Sequence, residues 1–133
     1  MIQKSKKSGF RGYIFSRTID GSFIPHRVQN LVIKDYCQRK KLFFKLSATE
    51  YKMKDSYIML NAVLKELNKI DGVVFYSVFM LPEDSRLRKK IYNLFLKSKK
   101  NLHFALEEIV LKNLSSLKEI ENIIKINKNS KKI

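Results

Sequence analysis

The chain is poor in the residues that cross-link or punctuate a fold. It has one cysteine (Cys37), two prolines, four glycines and no tryptophan. A lone cysteine excludes an internal disulfide and any cluster of cysteine metal ligands. Acidic side chains are scarce too, 12 against 28 lysines and arginines, for a formal charge of +16. No apolar run approaches the roughly 18 residues that a membrane-spanning helix needs. The basic start MIQKSKKSGF is not followed by the apolar stretch of a secretory leader. There is no GxGxxG and no Walker-type lysine loop, so a dinucleotide or nucleoside-triphosphate site has no support. The expectation is a cytoplasmic protein with no membrane partner and no cofactor.

What is present is apolar and regularly spaced. Apolar residues make up 44% of the 133, enough for one domain with a real core and too few for two. The charge invites a nucleic-acid partner. Two features make that partner less favoured. Lysine outnumbers arginine 22 to 6, a pattern that compositional bias produces as readily as a binding face. Nine of the basic residues also fall in the ends, 1–11 and 114–133, where only two acids balance them.

Strand-like and helix-like segments alternate. GYIFS, LFFKLS, VVFYSVFM and NLHFAL are compact, aromatic or β-branched runs. Between them lie helical spacings: Val28, Leu31, Val32 and Tyr36; Leu60, Val63, Leu64 and Leu67; Leu87, Ile91, Leu94 and Phe95; Leu117, Ile120 and Ile124. Asp71-Gly72 ends the second helix, and Pro82-Glu83-Asp84 suits the start of the third. Residues 1–10 read as a disordered basic lead, 11–126 as one domain, and 127–133 as a basic tail. The alternation predicts an α/β fold of three layers, α/β/α, around four parallel strands in the order 2-1-3-4. Tyr13, Phe44, Val74 and Phe104 are placed in central strands.

Ligands in such sheets sit beyond the carboxyl ends of the strands. That puts Ser16 and Arg17 after the first strand, Glu50 and Tyr51 after the second, Glu83 and Arg86 after the third, and Glu107 after the fourth. These seven are the candidate ligand-binding residues. Arg17 would grip an anion bidentately, and its loss would leave the fold intact. Glu50 beside Tyr51 would position a hydroxyl or act as a base. Each has a plainer alternative as a solvated strand end or loop acid. Gln29 and Asn30 are more simply surface residues than cleft residues. Arg88 reads as solvated. His103 sits within a strand, which favours a hydrogen-bonded core histidine, whereas His26 opens a helix where an anion would bind. No third ligand is spaced to join these histidines, so no metal site is expected.

The order of the pieces resembles the catalytic domain of serine recombinases (resolvases and invertases) over about residues 11–113. The segments carrying the likeness are YIFSR, VQNLVIKDYC, LSATEY, DGVVFYSVFMLPED and LHFALEEIVL. The resemblance implies a resolvase-like fold and a homodimer built through the last helix. It does not carry the chemistry across. Setting Tyr13 on the family's Tyr-x-Arg-x-Ser puts Phe15 at the arginine and Arg17 at the nucleophile. Ser16 falls one residue early, and the one-residue slip sends its hydroxyl to the opposite face. Phe79 to Glu83 stand where the family holds its Asp-Arg-Leu core. The phrases GYIFSR, VQNLVIKDYC, LSATEY, SVFMLPED and LHFALE also look like the sporadic carbohydrate cluster proteins. That resemblance implies a role beside bacterial surface polysaccharide synthesis, with a sugar, a sugar phosphate or a carbohydrate-biosynthesis enzyme as partner. The alternatives are a DNA-binding resolvase-like protein and a non-catalytic interaction subunit.

Overall fold

Aromatic and β-branched residues hold four strands side by side, because their side chains pack on both faces of the pleat. The computed structural model describes residues 8–130. Its strands are β1 (Phe10–Phe15), β2 (Phe44–Glu50), β3 (Gly72–Phe75), β4 (Asn101–Phe104) and β5 (Ile109–Leu111). Its helices are α1 (His26–Arg39), α2 (Ile58–Lys65), α3 (Ser85–Ser98) and α4 (Leu114–Ser130). Two short 3-10 turns, Leu67–Lys69 and Val78–Met80, extend α2 and β3. The sheet runs β2-β1-β3-β4-β5, with the first four strands parallel and β5 antiparallel to β4.

The expected class and order are therefore present, with a fifth strand added. LHFALEEIVL is a hairpin rather than one strand. Glu108 takes a positive φ of 56° in the turn, and Ile109–Leu111 returns along β4. A hairpin this short has no room for helical or alternating periodicity to show. β2 also reaches further than expected, through Ala48, Thr49 and Glu50, and it is an edge strand, so Phe44 is not central. β3 is shorter, since Val78–Met80 turns away as a buried 3-10 segment. The lead expected over 1–10 falls outside the described residues as far as residue 7. From there Gly9 already donates to Asp71, and Phe10 opens β1. Of the tail expected over 127–133, residues 127–130 continue α4 and the rest lie outside the described residues.

The pairing register sorts side chains onto two faces. Phe10, Gly12, Ile14, Val74 and His103 share one face, with α1 over it: Tyr36 meets His103, and Asn30 accepts from Ser47 at 2.6 Å. Tyr13, Phe15, Phe75 and Phe104 share the other under α2 and α3, with Tyr13–Phe15 and Phe75–Phe104 meeting edge to face and Tyr13–Phe75 tilted. Close spacing explains Gly72, where a Cβ would fall on the backbone oxygen of Asn101 in β4.

The buried stripe of α1 is not the expected one. Gln29, Ile33, Tyr36 and Cys37 face inward, while Val28 and Leu31 are exposed. In α3, Arg88, Ile91, Tyr92 and Phe95 are buried, and Leu87 and Leu94 lie 40% and 39% exposed. Arg88, read as solvated, donates to both carboxylate oxygens of Glu121 and to the carbonyls of Pro82 and Glu83. Its long stem made it look like a surface residue, but four acceptors satisfy the guanidinium inside. Among the described residues no helix is long and apolar enough to cross a membrane.

Candidate functional site

All four parallel strands deliver their carboxyl ends to one edge, so the expected candidates do gather there. They do not form an open polar cleft. Strand alternation continues past Phe15: Ser16 belongs to the α1 face and Arg17 to the α2 face. The Ser16 hydroxyl lies 3.1 Å from His26 Nε2, at the first turn of α1. Arg17 turns the other way, packs its guanidinium 4.0 Å over the Phe15 ring, and donates from Nη1 to the carbonyls of Tyr51, Met53 and Ser56, each at 3.1 Å. Ser16 and Arg17 thus lie on opposite faces of the sheet, as strand alternation requires. Arg17 is a clamp on the β2–α2 loop.

Glu50 is the most consequential correction. It is the last residue of β2, fully buried at 0% exposure, and not a loop acid. Its carboxylate accepts from the Tyr13 hydroxyl at 2.6 Å and from the Met59 and Leu60 amides at 3.0 Å. No side chain of the flanking Tyr57 caps α2, so Glu50 does it from the neighbouring strand. The negative charge also suits the positive end of the helix dipole. Burial, and then the bond to Glu50, pushes the Tyr13 phenol far above its ordinary value. Tyr13 therefore stays a donor.

Glu107 has a matching role in the connection that follows β4. It accepts from the Ser77 hydroxyl at 2.7 Å and the Val78 amide at 3.0 Å, holding the 3-10 turn after β3. Glu108 turns aside to Arg39 at 3.1 Å, so the two acids do not act as a pair. Tyr51 is exposed, and its carbonyl serves Arg17. Glu83 is exposed at the start of α3, and Arg86 projects into solvent beside Asp84.

Sequence reasoning missed Gln29. The side chain is completely buried. Its oxygen accepts the Phe15 amide, and its nitrogen donates to the Phe15 and Ile24 carbonyls at 2.8–2.9 Å. β3 ends opposite Tyr13, so Gln29 supplies to Phe15 the pair of bonds that a longer β3 would have made. The available signal was its place in the stripe with Ile33 and Tyr36, which the neighbouring Val28 and Leu31 obscured. His103 is a buried core histidine, as its place in β4 suggested. Its Nδ1 lies 2.7 Å from the Tyr36 hydroxyl, and burial chiefly lowers its pKa to about 4. Among the described residues no group of histidine, cysteine and acidic side chains is arranged to hold a metal.

A groove of about 220 Å³ opens between α2 and α3, walled by Leu60, Leu64, Leu87, Ile91 and Leu94, with Tyr57 and Pro82 at its carboxyl end. It adjoins the Arg17 clamp, where the guanidinium lies 5.1 Å from the Tyr57 ring.

A parallel sheet in this order, with α1 on one face, α2 and α3 on the other and its carboxyl edge closed by these loops, is the fold of serine recombinase catalytic domains. The N-terminal catalytic domain of TP901-1 integrase superposes with a TM-score of 0.64 at 15% identity, covering 92% of this chain and 97% of that one. A resolvase family site-specific recombinase from Streptococcus pneumoniae gives 0.62 at 9% identity, covering 92% and 91%. Comparison with models of known protein families gives no match, and comparison with curated proteins gives none either.

Proposed function

We propose that this chain is a binding module built on the recombinase fold, acting beside bacterial surface carbohydrate synthesis and not as a strand-transferring enzyme. The observation that carries the non-catalytic reading is the commitment of the carboxyl edge to structure. Arg17 holds three carbonyls, and Glu50 and Glu107 each cap a turn. A group with its lone pairs or donors already engaged is a poor base or anion clamp. What stays open on the same side is the α2–α3 groove, with Leu87 and Leu94 exposed along it. That favours an enzyme of carbohydrate synthesis as partner over a small sugar or sugar phosphate. The carbohydrate setting itself rests on the resemblance carried by GYIFSR, VQNLVIKDYC, LSATEY and SVFMLPED.

The test is complementation in a host whose surface polysaccharide depends on this chain. Leu87→Asp with Leu94→Asp, two exposed positions, is expected to abolish the polysaccharide while the protein stays folded. Ser16→Ala and His26→Ala are expected to restore it fully. Loss with either of the latter two in folded protein would return catalysis to the Ser16–His26 pair. Incubation with supercoiled plasmid is expected to give neither nicking nor a covalent adduct, and an adduct on Ser16 would establish the DNA alternative.

A further inference from the structure

The two edges of the sheet carry opposite charge. The connections at the carboxyl edge (16–25, 51–57, 76–84 and 105–108) hold three basic and six acidic side chains. Those at the amino edge (40–43, 66–71, 99–100 and 112–113) hold six lysines, Lys40, Lys41, Lys69, Lys99, Lys100 and Lys112, against Glu66 and Asp71. Both acids there are engaged, Glu66 by Arg11 and Asp71 by the Gly9 amide. Among the described residues none of the six lysines is in an ion pair.

The lysines also surround a hollow. A cavity of about 180 Å³ lies where α3 ends, β4 begins and β5 finishes. Lys99, Lys100, Lys112 and Asn101 supply its polar lining, and Phe95, Leu96 and Leu111 its apolar wall. The backbone fixes the rim. Lys99 adopts a left-handed φ of 60° while its amide closes α3 on the Phe95 carbonyl, and the Lys112 amide is held by Ser116 Oγ at 2.9 Å. The space is well above the ~10–15 Å³ that one water needs by the same measure, so a phosphate group fits. A helix end prefers one or two cations beside its last carbonyls. Lys97 already stands in the last turn of α3, which leaves the three lysines of the cavity beyond that need. The positive field is felt by the buried neighbour His103, whose protonation Lys112 and Lys40 oppose after burial itself.

We propose that this amino-edge cavity is a binding site for a phosphate group, held by Lys99, Lys100 and Lys112 with Asn101. Lysines act as point charges on phosphate and need no fixed fork geometry. The same chemistry is offered by a soluble phosphomonoester and by a lipid headgroup, and the assay separates them.

The full chain is titrated with inorganic phosphate, then phenyl phosphate, at constant ionic strength, and the backbone amides are followed by 1H–15N NMR. Amides of Asn101 and Lys112 are expected to shift saturably. Lys100→Gln with Lys112→Gln is expected to weaken binding roughly tenfold. The control Lys52→Gln with Lys54→Gln removes the same charge from the carboxyl edge and is expected to change it less than about twofold. Co-sedimentation with phosphatidylcholine vesicles, with and without phosphatidic acid, follows. Binding that needs phosphatidic acid and fails in the cavity variant but not in the control assigns a lipid phosphate. Saturable shifts without such sedimentation assign a soluble phosphomonoester. Shifts that do not saturate, or a control variant weakened as much as the cavity variant, would overturn the site and leave only a net-charge effect.

Discussion

Removing the Glu50 carboxylate tests whether the carboxyl edge is structural. In Glu50→Ala, the buried Tyr13 hydroxyl and the Met59 and Leu60 amides lose an acceptor at 2.6–3.0 Å. Each bond to a charged acceptor is worth about 1.5–3 kcal/mol. Those gains are partly offset by the cost of keeping a carboxylate out of water, so they do not simply add. Breaking a buried network from one side costs about 3–5 kcal/mol, a large share of the roughly 5–15 kcal/mol that stabilises a domain. The chain has no tryptophan, so urea unfolding is followed by far-ultraviolet circular dichroism. The midpoint is expected to fall sharply with little change in slope. Glu50→Gln should lose less, because its oxygen still accepts, although one amide donor then faces other donors. Tyr13→Phe combined with Glu50→Ala should cost less than the sum of the two, with a coupling of about 1–2 kcal/mol. A Glu50→Ala protein within about 0.5 kcal/mol of the parent, or a coupling near zero, would refute the capping role. The carboxylate would then be available for chemistry.

Arg17→Ala, expected from sequence to leave stability unchanged, should instead cost about 1–3 kcal/mol by freeing three loop carbonyls, checked by the same urea midpoint. Arg88→Met should destabilise by about 1–3 kcal/mol, since two carbonyls lose their donor and the partly exposed Glu121 is left to solvent. Arg88 holds the Glu121 pKa below its ordinary value. The pair therefore stabilises above the unfolded carboxylate value and is lost as pH falls through the folded one. The Arg88→Met protein should lose less stability than the parent on acidification below about pH 4.5. His103 has its folded pKa lowered to about 4, chiefly by burial. The unfolded chain therefore takes up the proton first, and stability should fall as pH drops from about 6.5 toward 4. Denaturation midpoints of His103→Phe should be flatter across that window. Gly72→Ala should cost about 1–3 kcal/mol, because its Cβ meets the Asn101 carbonyl and the strands must separate.

The layout was legible because it rests on periodicity and connection length. Aromatic runs of four to eight residues joined by helical spacings leave few alternatives to a parallel sheet. The β5 hairpin escaped because three residues, Ile109–Leu111, carry no period of their own. The site was legible in position and not in role. Ser16, Arg17, Glu50, Glu83 and Glu107 do reach the carboxyl edge, as their places after strands required. Whether a carboxylate there is open or engaged depends on which amides lie within 3 Å. For Glu50 those belong to residues nine and ten positions on. No rule of composition or spacing reports that distance. Arg88 and Gln29 were misjudged for a related reason. A polar side chain is normally exposed, and the exceptions are set by acceptors far away in sequence, such as Glu121 for Arg88.

One inference from sequence is met at atomic detail: the opposite facing of Ser16 and Arg17. Alternation along a strand is strict, so a single-residue offset at Ser16 is a change of face and not a small displacement. The structure places Ser16 with α1 and Arg17 with α2, on opposite sides of the sheet. Placing a nucleophile at position 17 would take more than a hydroxyl. Arg17→Ser would remove the clamp that holds the β2–α2 loop, and Glu50 would still face α2 with its lone pairs engaged. At the carboxyl edge Arg17, Glu50 and Glu107 are engaged in holding the loops and helix ends beside them. The uncompensated lysines lie at the other end of the same strands.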